Sequence, residues 1–144
     1  MHPTGDGDGR RLHFMPPGAH PQLVLADPLD PNQDGYVLRF RAELTAQGLS
    51  ATTDVVVSQG RDLDAFFDHL VSNWRGWQGE QRWESLEHDL SIAATHNGAG
   101  HVHLCVTLRE GYRPDSWAAS ATLIVQAGEE LRALASKIAR FLAA

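Results

Sequence analysis

Asp62-Leu63-Asp64-Ala65-Phe66-Phe67-Asp68-His69-Leu70-Val71-Ser72-Asn73-Trp74 is the stretch from which the fold is read. Leu63, Phe66, Phe67, Leu70, Val71 and Trp74 recur at three- and four-residue spacing, which places them on one face of an α-helix and requires that face to be buried. Asp62 has the residue type of an N-cap. Burying six such side chains contributes on the order of 10 kcal/mol before conformational entropy is subtracted, enough to make this helix an organiser of the core. A tryptophan-rich turn follows, Trp74-Arg75-Gly76-Trp77-Gln78-Gly79-Glu80-Gln81-Arg82-Trp83, and beyond it begins a hairpin, the organising stretch reaching to His101.

Working outward, the period changes from 3.6 to 2. Gln22 to Asp27 reads as a short strand. Tyr36 to Thr45 alternates with Tyr36, Leu38, Phe40, Ala42 and Leu44 on one face, and Gln47-Gly48 turns the chain into a third strand with Leu49, Ala51, Thr53, Val55 and Val57 inward. After the tryptophan turn, Leu86, Leu90, Ile92 and Ala94 alternate with polar residues, as do Val102, Leu104, Val106 and Leu108. A two-residue loop would set His96 opposite His101 and mix apolar with polar faces. A Gly98-Ala99-Gly100 loop sets Ile92 opposite Val106 and Leu90 opposite Leu108, and is the register expected. Ser116 to Ala127 supplies a last strand, and Glu129 to Leu142 a second amphipathic helix with its acids at the positive end and Lys137 and Arg140 towards the negative end. The expectation is an α+β domain: a single antiparallel sheet of about six strands, in the order β-β-β-α-β-β-β-α, with two helices packed on one face. Residues 1–20, with Gly5-Asp6-Gly7-Asp8-Gly9 and Pro16-Pro17-Gly18, read as a flexible tail before a single domain over 21–144.

A chain of 144 residues with 42% hydrophobic and 21% charged residues suits one globular domain. The formal charge of -6 argues against nucleic-acid or anionic-membrane binding and suits a small molecule or a basic protein partner. The protein itself is expected to be a monomer or homodimer. Residues 61–97 carry seven Asp or Glu against three Arg, so the acidic excess lies on the central helix and the segment after it. One cysteine, Cys105, cannot form an internal disulfide, and no apolar N-terminal run follows a basic start; the expected compartment is the cytoplasm. Lys137 is the one lysine among twelve basic residues, the usage of a GC-rich bacterial genome.

Few residues propose chemistry, and no catalytic residue or cofactor is assigned. His101 and His103 point the same way along a strand, as two metal ligands would, but a site needs a third ligand, and His88 and His96 have the opposite parity. The alternative function is therefore a small metal- or ligand-binding enzyme that uses the histidines of the 96–103 hairpin. Asp30-Pro31-Asn32-Gln33-Asp34-Gly35 matches the first half of a calcium loop, but Arg41 stands where a bidentate Glu belongs, so a proline-fixed turn is expected. Trp74, Trp77, Trp83 and Trp117 are expected mainly to pin the chain crossing into the core.

Trp74-Arg75-Gly76-Trp77, Trp83-Glu84-Ser85-Leu86-Glu87, His96-Asn97-Gly98-Ala99-Gly100-His101-Val102 and Ala127-Gly128-Glu129-Glu130-Leu131 resemble an uncharacterised actinobacterial family known only as a domain of unknown function. The similarity spans about residues 21–143. That family is in turn loosely similar to bacterial toxin-immunity proteins, which implies a non-enzymatic protein-binding role and transfers no catalytic residue. On this reading the contact candidates are Asp64, Asp68, Glu80, Glu84 and Glu87, with Trp77 as an aromatic anchor.

Overall fold

Residues 10–111 and 113–143 are described in the computed structural model. Ten elements follow one another: β1 (Arg11–His13), β2 (Gln22–Leu29), β3 (Val37–Ala46), β4 (Leu49–Ser58), α1 (Leu63–Ser72), β5 (Gln81–Glu84), β6 (Leu90–His96), β7 (His101–Arg109), β8 (Ala118–Gln126) and α2 (Glu129–Leu142). Each half of the chain is an antiparallel meander of four strands closed by a helix. The strand orders are β1-β2-β3-β4 in one sheet and β5-β6-β7-β8 in the other.

This overturns the single sheet of about six strands. The two additional strands, Arg11–His13 and Gln81–Glu84, have three and four residues, too few for alternation to show in the sequence. β1 falls in the stretch read as a tail, where Leu12 and Phe14 are buried; residues 1–9 of that stretch lie outside the described residues. The sheets separate because the free edge of β4 is already taken. Leu86 N–H donates to Val56 O at 3.1 Å, and Ser58 N–H donates to the Asp62 carboxylate at 2.8 Å, so the loop before β6 and the residue before α1 cover that edge in place of a fifth strand.

The expected hairpin register is the one observed: Ile92 faces Val106, Leu90 faces Leu108, and Asn97 N–H donates to His101 O at 3.0 Å across the loop. Both sheets turn one face to a common core containing Leu38, Phe40, Val57, Ile92, Leu104 and Leu123. The helices fill it. Phe67 of α1 meets Phe14 edge-to-face at 6.0 Å, and Phe141 of α2 meets Phe40 at 5.6 Å. The expected stripe of α1 holds at Leu63, Phe67 and Leu70, which are fully buried, while Phe66 and Val71 are half-buried and Trp74 is exposed. The outer faces differ. That of the first sheet carries an ion-pair chain from Arg11 through Glu43 and Arg41 to Asp27, and that of the second is uncharged over most of its breadth.

Candidate functional site

The acidic region is built where α1, β5 and the loop before β6 meet. Asp62 stands at the N-cap position but makes no capping bond. Its carboxylate accepts from Ser58 N–H at 2.8 Å and from the Trp83 indole N–H at 2.7 Å, which ties the start of α1 to both sheets. Asp64 turns back to accept the Asp62 N–H at 2.8 Å, an interaction that also puts negative charge in the positive first turn of the helix. Asp68 is exposed and loosely paired with Arg61 at 3.7 Å. Glu80 pairs with Arg82 at 3.0 Å, and Glu84 pairs with His88 at 3.0 Å. Glu87 is exposed.

Behind these groups Asp89 is buried and accepts the Gly111 N–H at 2.7 Å. Burial pushes its carboxyl above the ordinary range, the Gly111 hydrogen bond works against the rise, and the carboxylates of Glu87 and Asp54 add to it. Asp54, Glu87 and Asp89 therefore share one region of negative potential. The opposite balance holds on the other side of the chain at Glu43. Burial disfavours its ionisation, but the hydrogen bonds and charges of Arg41 and Arg11 prevail and hold it below the usual range.

Trp77 is half-buried and donates its indole N–H to Ala94 O at 3.2 Å. It also meets His96 edge-to-face at 5.4 Å, so the tryptophan turn is locked onto the hairpin. His96 Nε2 is 2.9 Å from Trp74 O, and its Nδ1 accepts the Gly98 N–H at 2.9 Å, which fixes the tautomer with the proton on Nε2. Trp83 packs half-buried against the core, and the more exposed tryptophans are Trp74 and Trp117. His101 and His103 lie on the outer face of β7, exposed and half-buried respectively. No three His, Cys, Asp or Glu residues gather to hold a metal ion among the described residues. In the Asp30–Gly35 turn the Asp30 carboxylate accepts the Gly35 N–H at 3.0 Å, and the Asp34 carboxylate accepts the Tyr36 N–H at 3.0 Å; these oxygens hold the turn.

A basic groove escaped sequence reading. A cleft of about 610 Å³ runs between residues 10–17 and α2, its floor formed by residues such as Leu12, Phe14 and Leu134 and its rim by Arg11, Lys137 and Arg140. The signal was divided between the two ends of the chain. Lys137 Nζ crosses to His13 O at 3.1 Å, and Arg10 donates to Arg140 O and Phe141 O at 2.8 and 2.6 Å. Arg10, Arg11, Lys137 and Arg140 line this groove with one lining carboxylate, Glu130, and Arg11 also pairs with Glu43; the rest of the chain is left with eight Lys or Arg for seventeen Asp or Glu. Among the described residues no helix is long and apolar enough to cross a membrane.

A family model described as a family of unknown function (DUF6228) matches residues 16–144. No curated protein is found to match the chain. No solved structure is found to match it either.

Proposed function

The chain belongs to DUF6228, a family of unknown function, and from its own surfaces we propose that it is a non-enzymatic domain that binds a basic protein partner. The narrow form of the proposal is an immunity protein that neutralises a basic toxin. One observation carries it: residues 61–97 hold seven carboxylates against three Arg, while four cations of the terminal segments line the groove beside α2. A net excess of one charge over a surface raises the association rate with an oppositely charged partner and disfavours like-charged ones. Asp68, Glu80 and Glu87 are the contacts best placed for this role, because they are exposed and carry no bond that holds the fold together. Asp64 and Glu84 contribute charge while also serving α1 and His88, and Trp77 is committed to the hairpin.

The test is capture on the immobilised protein from the organism that encodes it, with an Asp68→Lys, Glu87→Lys double variant as control. A basic protein retained by the parent, released progressively as salt rises and lost from the variant is the expected result. Equal retention by a variant whose circular dichroism matches the parent overturns the proposal.

A further inference from the structure

Edge strands expose unpaired backbone groups, and folded proteins blunt them by shortness, charge, proline, bulges or cover. Three of the four sheet edges here are managed in these ways. β1 has three residues, and Lys137 Nζ occupies its His13 carbonyl. β4 carries Asp54 and is bonded by Leu86 and Asp62. β5 has four residues, with Arg82 and Glu84 exposed. The fourth edge is β8, Ala118-Ala119-Ser120-Ala121-Thr122-Leu123-Ile124-Val125-Gln126. Its nine residues include no charge and no proline, and it pairs with β7 from end to end without a register shift.

The direction of its free groups follows from the ladder. Ala127 N–H donates to Gly100 O and Glu110 N–H donates to Trp117 O, so odd-numbered residues of this strand bond to β7 and even-numbered ones face away. Gln126 N–H, on the outward side, is satisfied by the Glu130 carboxylate at 2.7 Å. The N–H and C=O groups of Ala118, Ser120, Thr122 and Ile124 have no hydrogen-bond partner among the described residues.

We propose that β8 is a self-association edge, which pairs antiparallel with β8 of a second copy about a two-fold axis through Ala121 and joins the two four-stranded sheets into one of eight strands. In that register Ala118 faces Ile124 of the second copy and Ser120 faces Thr122. All pairs of outward-facing residues are hydrogen-bonded pairs, and every free group of the four residues is used. The side chains agree with the backbone. Ile124 is 49% exposed, and it meets the Ala118 methyl; Ser120 meets a Thr hydroxyl. On the inner side the half-buried Ala119 meets Leu123, and Ala121 meets its own copy. A second copy is favoured over a foreign strand because an uncharged edge of this pattern is complementary to itself without like-charge repulsion at any position. An edge contact is smaller than the ~800 Å² per partner of a standard interface, so association at micromolar concentrations or weaker is expected.

Sedimentation across protein concentration reads this directly, with the parent passing from monomer to dimer. Thr122→Pro removes an N–H that β7 does not use, and Thr122→Lys adds an edge charge; both should remain monomeric with unchanged circular dichroism. The register has its own test. Residues opposite each other in a non-hydrogen-bonded pair lie about 4.5 Å apart at Cα, within disulfide reach. In a Cys105→Ser background, Ala121→Cys should therefore cross-link under mild oxidation, whereas Ala119→Cys, displaced from the axis, should not. A parent that stays monomeric throughout, a dimer that survives both Thr122 variants, or cross-linking as efficient at position 119 as at 121 would overturn the proposal.

Discussion

Replacing Asp62 with Ala tests the joint between the two halves of the chain. The carboxylate holds two donors at once, Ser58 N–H at 2.8 Å and Trp83 Nε1 at 2.7 Å, both partly buried. Charge-assisted bonds of this kind contribute about 1.5–3 kcal/mol each. Solvent reaches the half-exposed edge of Trp83, so the lower end applies, and loss of both should cost about 3 kcal/mol. For a chain near this length that lowers Tm by roughly 10 °C. Urea unfolding followed by tryptophan fluorescence measures the loss, and a double-mutant cycle with Trp83→Phe isolates the indole bond, whose coupling should be about 1–1.5 kcal/mol. Asp62→Ser separates this account from ordinary helix capping. Serine is a good N-cap, but Asp62 makes no capping bond here, so serine should recover little of the stability. A coupling below about 0.5 kcal/mol, or full rescue by serine, would refute the reasoning.

Leu70→Asp and Ile138→Asp should each unfold the domain, because both positions are fully buried and an uncompensated charge there costs more than about 4 kcal/mol; a cooperative melt near the parent Tm would contradict the helix packing. At Asp89 the raised folded-state value means the native form holds more protons than the unfolded chain just above the ordinary value of 3.8, so this group's contribution to stability falls as pH rises through that window. Asp89→Asn keeps an acceptor for Gly111, and its Tm relative to the parent should increase from about pH 4 to pH 7; a difference constant with pH would show that burial does not disfavour the ionised carboxyl. Gly76→Ala should destabilise by about 1 kcal/mol, since φ is +139°, a backbone conformation that residues with a Cβ rarely adopt, while the added Cβ would make only ordinary contact with His96; circular dichroism melts measure it, and a neutral result would mean that the turn relaxes freely.

Local pattern was legible where an element was long enough to show its period. Glu129–Leu142 and the Ile92–Val106 register are observed as expected, because a fourteen-residue amphipathic repeat and a two-sided hairpin each leave little freedom. The division into two sheets was not legible, since it depends on what fills the edge of β4: the Leu86 backbone and the Asp62 side chain, neither of which belongs to a periodic run. Asp62 also shows how residue type misleads, for an N-cap residue at the N-cap position spends its oxygens elsewhere. The acidic excess could be counted from the chain, yet which carboxylates are at liberty could not, and Asp64 and Asp68, four residues apart, differ in this respect. The basic groove was hidden for the same reason as β1. Residues 10–17 look unstructured alone and acquire a surface only beside α2.

Arg10 holds the last turn of α2 by two carbonyls, and its guanidinium lies 5.5 Å from the Phe141 ring centre. The partners lie 130 and 131 positions apart along the chain, so the contact closes a very long loop and gains nothing until the segments between are in place. The same stitch brings residue 10 and the last turn of α2 side by side. A unit with that geometry can be spliced into a surface loop of another protein as a side branch, its insertion site only slightly parted, and fraying at either end would loosen both.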